Sequence, residues 1–396
     1  MKTFDDFELS IQLKTNIKKA ELTIPTQVQE MSIPSIMEGK DVIGESATGS
    51  GKTLAFGCGI IEQVVPNRGV QALVLTPTRE LAEQVKEALV KFSYNKSLKM
   101  MAIYGGVSIG PQIRDLKRAD VVVATPGRLL DHLQRNTIDT SRVSILVLDE
   151  ADRMLEMGFI EDVEKIIRAC PSKRQTMFFS ATITPRIKEL ADNYLHNPVN
   201  VSATKMVDPK KLKQVYYDIS KNRKLSLLIH LLQSERAGLV MVFCNTRKNT
   251  DFVTKNLKIN RVNAIAIHGG LAQNKRTKTM DLFNNAKIGV LVCTDVAARG
   301  LHIDDVSHIY NYDLPKDPND YVHRIGRTAR AGEEGKVINV LCDYDYENFS
   351  RILDEYRDFN IEKVDTPPLG RIETIKRDES RPRHGRRDFK PRRRWN

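Results

Sequence analysis

The chain has 396 residues, is 41% apolar and 28% charged, and carries a formal net charge of +12. This length suggests two or three domains with enough apolar material for packed cores. No apolar run is long enough to span a membrane, the acidic start at residues 1–7 lacks the core of a signal peptide, and the five scattered cysteines form no C-x-x-C pair, which speaks against structural zinc and for a reduced, cytoplasmic setting.

Taken in chain order, short β-branched runs at 41–44, 72–76, 101–104, 121–124, 145–148 and 176–179 alternate with amphipathic helical stretches. Runs that are apolar throughout predict strands buried on both faces, hence a parallel sheet between helices. The polar stretch around Asp208-Pro209 predicts a linker at 206–213, after a first domain at 1–205. The pattern then restarts at 215–219, 239–243, 264–267, 290–293, 308–310 and 337–341, predicting a second domain of the same class at 214–365. Residues 366–396 have few aliphatics and no apolar period, and predict a disordered tail. Its last 21 residues hold ten Lys/Arg against three Asp/Glu, an asymmetry that points to a nucleic-acid partner rather than a membrane.

Two strings carry chemistry. Ser46-Ala47-Thr48-Gly49-Ser50-Gly51-Lys52-Thr53 follows the first strand run and reads as a glycine-rich loop that turns backbone N–H groups toward phosphates. Lys52 would reach the β- and γ-phosphates, and the Thr53 hydroxyl would ligate Mg²⁺. Asp149-Glu150-Ala151-Asp152 ends the fifth run. Asp149 suits the metal, and Glu150 suits orienting and deprotonating the attacking water. Together they predict nucleoside triphosphate hydrolysis.

These strings resemble the DEAD-box family of RNA-dependent ATPases, and the resemblance spans roughly residues 4–345. Pro77-Thr78-Arg79, Gly105-Gly106 and Thr125-Pro126-Gly127-Arg128 look like the family's RNA-facing elements in the first domain. Ser180-Ala181-Thr182 looks like its element coupling hydrolysis to strand opening. Arg247, Gln273 with Arg276, and Thr294 continue the RNA set in the second domain, and Gly300 belongs to the nucleotide set. Arg327 and Arg330 would be the arginine fingers, placed on one helix face by their spacing of three. Gln29 resembles the adenine-reading glutamine, and Phe4 its upstream aromatic. Two positions depart from the family: Leu22 stands where an aromatic stacks on adenine, and His302 where an Asp meets the ribose.

The resemblance implies two tandem RecA-like domains and an ATP-dependent RNA helicase using ATP and Mg²⁺. It implies contacts to the RNA backbone with little sequence specificity, a monomer with ribonucleoprotein or ribosome-associated partners, and an open cleft in the free protein. An ATP-gated RNA clamp remains the main alternative, since it would use the same residues; a DNA-directed helicase is the second, against which the D-E-A-D string, the adenine motif and Gln273 with Arg276 favour RNA.

Overall fold

The computed structural model describes residues 2–46, 49–203, 212–235, 237–298, 303, 306–328 and 335–375. The first domain holds β1 (Val42–Glu45), β2 (Ala72–Leu75), β3 (Met100–Ile103), β4 (Val121–Ala124), β5 (Ile145–Asp149), β6 (Gln175–Ser180) and β7 (Val199–Ser202). The second holds β8 (Leu212–Asp218), β9 (Leu239–Phe243), β10 (Ala264–Ile267), β11 (Val290–Cys293), β12 (Val306–Asn311), β13 (Gly335–Leu341) and β14 (Ile361–Lys363). Every pairing is parallel, and helices fill the crossovers.

The two sheets have the same order: β3-β4-β2-β5-β6-β1-β7 and β10-β11-β9-β12-β13-β8-β14. Each strand of the first domain thus has a counterpart seven strands later. The apolar runs explain why the sheets are buried. Along β4, Val121 and Val123 pack into the core on one face, and Val122 and Ala124 into the core on the other. Each such buried aliphatic is worth about 1.5–3 kcal/mol over an exposed one. The tandem RecA-like architecture expected from the sequence is present.

The structure departs from the expected boundaries in three places. β7 and β14 were not anticipated; both are edge strands with largely solvent-facing residues, so neither shows a continuous apolar run. β8 begins at Leu212, inside the expected linker, because Lys213 points outward while Leu212 is buried. Residues 204–211 lie outside the described residues.

The expected disordered tail does not begin at 366. Val364, Leu369 and Ile372 pack against the second-domain core. The side chains of Asn256 and Asn260 then hold the backbone of Glu373 and Ile375 at 2.8–3.1 Å. Residues 376–396 lie outside the described residues. All five cysteines are free and buried, as small hydrophobes are. Among the described residues no helix is long and apolar enough to cross a membrane.

Candidate nucleotide and RNA site

The carboxyl end of β1 leads through Ser46 and the glycine loop into the helix Lys52–Gln63, of which Lys52 is the first residue. The Lys52 ammonium donates to the Ser46 carbonyl at 3.0 Å, and the Ser50 hydroxyl donates to the Ser46 hydroxyl at 2.9 Å. Ser46, where the common loop pattern has glycine, thus uses its side chain inside the loop. Gly51 needs to be glycine: its φ is +91°, and a Cβ would stand 2.3 Å from the Gln29 amide nitrogen. Ala47 and Thr48 lie outside the described residues. Thr53 is half-buried on the first turn of the helix.

Gln29 binds this loop directly. Its Nε2 donates to the Gly51 carbonyl at 3.0 Å, and its Oε1 accepts the Thr26 N–H at 2.8 Å. One amide hydrogen and one lone pair remain for a base edge. Leu22 is exposed. Phe4 is buried and packs edge-on against Phe7.

At the end of β5, Asp149 is buried, and its Oδ1 accepts the Glu150 N–H at 3.0 Å. Burial pushes its carboxyl up to about 6, with Lys52 opposing the shift and Glu150 adding to it. Glu150 has a φ of +53°, a left-handed conformation that costs a non-glycine residue on the order of 1–3 kcal/mol. The sequence reading gave Asp152 no role. Its Oδ2 accepts the N–H groups of Ala181 and Thr182 at 3.0 Å and the Thr182 hydroxyl at 3.2 Å. The Ser180 hydroxyl accepts the Asp152 N–H at 3.1 Å and donates to the Thr182 carbonyl at 2.8 Å. One carboxylate therefore ties the β5 string to the β6 string.

The second domain meets this surface. Arg327 is buried and lines one cavity with Glu150, Asp152, Arg153, Glu156, Ala181 and His323. Arg327 itself does not stand on a helix. The helix Pro318–Ile325 ends before it, and Gly326 starts a turn that presents Arg327. Arg330, Gly300 and His302 lie outside the described residues. Arg324, also missed, is fully buried and pairs with Asp295 through two bonds of 2.6 and 2.7 Å. It also donates to Asn245, Asn311 and the Asp313 carbonyl, holding three strand ends together.

The expected RNA residues occupy equivalent loops in the two domains. In the first, Thr78 follows Pro77 and caps the helix Arg79–Phe92. The Arg79 guanidinium covers Gly106, where φ is +79° and a Cβ would stand 2.1 Å from it. Arg128 donates to the Val107 carbonyl and to Gln112 Oε1, both at 3.0 Å, and so fixes the loop that carries Gly105. Thr125, Pro126 and Gly127 open the helix after β4. In the second, Thr246 caps the helix Arg247–Ile259, and Arg247 lies against Gly269 and Gly270. That glycine pair follows β10 as Gly105-Gly106 follows β3; matching the two halves strand for strand would have found it. Thr294 closes β11, the counterpart of β4.

Gln273 and Arg276 have a protein partner in this arrangement. They reach across the domain interface to one carboxylate, Glu80: Gln273 Nε2 donates to Oε1 at 3.1 Å, and Arg276 Nε stands 3.0 Å from it. The Arg276 N–H is not aimed along that line, so its contact is Coulombic rather than a directed hydrogen bond. In this arrangement the two domains meet at Glu80.

A phosphate loop, buried carboxylates two strand positions away and an arginine delivered from a second domain of equal topology define a two-domain P-loop nucleoside triphosphatase. Residues 26–190 match the DEAD/DEAH box helicase family and residues 223–332 the helicase conserved C-terminal domain. The ATP-dependent RNA helicase CshA of Listeria monocytogenes is 42% identical over 93% of this chain and 71% of its own length. The DEAD-box ATP-dependent RNA helicase CshA of Bacillus subtilis is 41% identical over 93% and 75%. Saccharomyces cerevisiae Dbp5 bound to RNA and ADP BeF3 superposes with a TM-score of 0.84 at 30% identity, covering 92% of this chain and 96% of that one. A DEAD box protein from Methanococcus jannaschii, closer in sequence at 39%, gives 0.56 over 91% and 99%. The overall arrangement is thus nearer to the RNA- and nucleotide-bound relative. The chain belongs to the DEAD-box family of ATP-dependent RNA helicases, and it is an ATP-hydrolysing enzyme that acts on RNA.

Proposed function

We propose that Ser46–Thr53 hold the ATP phosphates, that Gln29 and Leu22 meet the adenine, and that Gly300 and His302 meet the ribose. Glu150 deprotonates the attacking water, while Lys52, Arg327 and Arg330 offset charge developing on the phosphoryl oxygens. The observation that carries this reading is the shared cavity in which Arg327 of one domain faces Glu150 and Asp152 of the other. Ser180, Thr182 and Asp152 transmit the state of that centre to the RNA side through their hydrogen-bond cluster.

The residues present fit Mg²⁺. Asp149 is a buried carboxylate facing a single ammonium, an anion that a divalent cation would relieve. Among the described residues no three His, Cys, Asp or Glu side chains form a ready-made chelate. That matches an ion held by Thr53, Asp149, phosphate oxygens and water. When bound, it supplies positive charge to the β- and γ-phosphates.

RNA lies along the loops after β2–β4 and β9–β11. It is held through its backbone by Pro77, Thr78, Arg79, Gly105, Gly106, Thr125–Arg128, Arg247 and Thr294. Closure of the two domains assembles the hydrolytic centre and bends the bound strand, which opens a duplex locally; reopening follows hydrolysis. The working units are a first domain ending near Ala203 and a second running from Leu212 to Ile375. The enzyme acts in the cytoplasm as a monomer, with ribonucleoprotein or ribosome-associated partners selecting the RNA.

The test is the ATPase rate with no nucleic acid, with single-stranded RNA and with DNA of the same sequence, in wild type, Glu150→Gln and Arg327→Ala. Stimulation by RNA alone, lost in both variants, is expected. Glu150→Gln turning over at the wild-type rate would overturn the assignment.

A further inference from the structure

Arg153 belongs to none of the elements assigned above, yet it touches both halves of the hydrolytic centre. It stands one helical turn beyond Glu150 on the helix Ala151–Glu156, and both side chains are more than nine-tenths buried. Its Nη1 lies 3.6 Å from Glu150 Oε2, an oxygen with no hydrogen-bond partner. Its Nη2 donates at 3.5 Å to the Val296 carbonyl, on the segment that follows β11 in the second domain. Its own N–H closes the turn on the Glu150 carbonyl at 3.1 Å.

A carboxylate held this far from water is costly unless a cation faces it. Arg153 supplies that cation. The left-handed backbone at Glu150 also needs surroundings that enforce it. The planar guanidinium presents several donors in a fixed fork, so one end can face the carboxylate as a charge while the other donates to a carbonyl. The Val296 contact exists only when the domains meet, whereas the Glu150 contact lies within the first domain.

We propose that Arg153 is a positioning residue that holds the Glu150 carboxylate in its working orientation when the second domain docks, and so ties the rate of hydrolysis to closure. This rests on Glu150 being the base. A guanidinium anchored at Val296 fixes where Glu150 Oε2 can sit. Without that anchor the carboxylate turns in its cavity, and a base displaced by about 1 Å loses on the order of 100-fold in rate.

The experiment compares wild type, Arg153→Gln, Arg153→Lys, Glu150→Gln and the Arg153→Gln/Glu150→Gln double variant. Steady-state kcat and KM for ATP and RNA, single-turnover hydrolysis and thermal unfolding are measured for each. Arg153→Gln is expected to lower kcat about 10–100-fold with KM for ATP within about threefold; its unfolding midpoint falls too, because Glu150 loses the cation that faces it. Arg153→Lys, which keeps the charge and loses the fork, should recover part of the loss. In the Glu150→Gln background Arg153→Gln should cost nothing further. Arg153→Gln turning over like wild type while Glu150→Gln is inactive would overturn the role of Arg153 alone. Glu150→Gln turning over normally would overturn the base assignment itself. A midpoint lowered equally in Arg153→Lys, which keeps the charge, with kcat lost as fully as in Arg153→Gln, would make Arg153 a packing residue and end the proposal.

Discussion

The contact of Gln273 and Arg276 with Glu80 allows a sharp test, because an RNA ligand and an interdomain clamp predict opposite outcomes. Both cations of the region, Arg79 and Arg276, lie near Glu80; burial lowers the pKa of Arg276, with Glu80 opposing the shift and Arg79 adding to it. The side chains of the pair are 13% and 10% exposed, so the pair is largely desolvated in the docked arrangement and would return to water on opening. A hydrogen bond to a charged group contributes about 1.5–3 kcal/mol. A Coulombic contact without a directed hydrogen bond adds less, so the clamp is worth about 2–3 kcal/mol, or roughly 30–150-fold in the closing equilibrium. The perturbations are Glu80→Ala and Arg276→Ala, singly and together. All native cysteines are buried, so one introduced surface cysteine on each domain takes a dye selectively. Closure is then read by energy transfer as RNA is titrated in the presence of an ATP analogue. Glu80→Ala should raise the RNA concentration for half-closure by about 30–150-fold, and Arg276→Ala, which leaves the Gln273 bond in place, by less. The double variant should be little worse than Glu80→Ala, since Glu80 is the partner of both Gln273 and Arg276. If instead Arg276→Ala weakens RNA binding while Glu80→Ala leaves it unchanged or tighter, Arg276 contacts RNA and the clamp is refuted.

Three further outcomes follow from particular residues. The carboxyl of Asp149 is raised by burial to about 6 from an unfolded value of 3.8, so the native state binds the proton more tightly and stability falls as pH climbs through that window. Asp149→Asn should therefore raise the melting temperature of the nucleotide-free protein at pH 7–8, by about 2–3 kcal/mol in stability, and lose that advantage below about pH 4; equal melting curves at pH 7 would refute it. Leu22→Phe should lower the KM for ATP about fivefold, since an aromatic contact adds roughly 1 kcal/mol, and an unchanged KM would refute a stacking role for this position. Deleting residues 376–396 should weaken RNA binding and flatten its dependence on salt, and an unaltered salt slope would remove the Arg-rich segment from RNA binding.

The strand runs were legible because residues such as Val121–Ala124 are buried on both sheet faces, which leaves a signal in composition alone. β7 and β14 were not, since edge strands pair through backbone that any sequence can supply. Lys52, Asp149 and Glu150 were legible as strings whose residue types the chemistry demands. Asp152 sat in the same string, but its work is to accept N–H groups from β6, a partner 29–30 residues away that no local spacing reveals. Arg324 and Glu80 share that property: a buried arginine and a surface-type glutamate read as ordinary charges until the strands and domains that supply their partners are in place. Residues 366–375 read as disordered because their anchors, Asn256 and Asn260, are polar side chains on a distant helix.

The duplicated sheet order raises the question of why only one half carries a phosphate loop. β8 is the counterpart of β1, and the helix after it, Lys224–Ser234, also opens with a lysine. Lys52 and Lys224 are thus topologically equivalent, and both are buried. Their partners differ. Lys52 donates to a loop carbonyl, a bond that a phosphate can replace. The Lys224 ammonium is 2.8 Å from Asp345 Oδ2 and lies over the rings of Tyr312 and Tyr344, so its charge is already met. The same carboxylate oxygen accepts the Cys342 N–H at 3.1 Å, which fixes the end of β13. One position is built to receive an anion and the other to close a core, so the same substitution should give opposite phenotypes. Lys52→Ala should abolish ATP hydrolysis and leave the fold intact. Lys224→Ala strands a buried carboxylate, a loss of about 3–5 kcal/mol, and should lower the second-domain unfolding transition in calorimetry. ATP binding to the first domain should persist in that variant. An unchanged second-domain transition would mean that the Lys224–Asp345 pair does not hold this end of the sheet, and that the equivalence with Lys52 has no structural consequence.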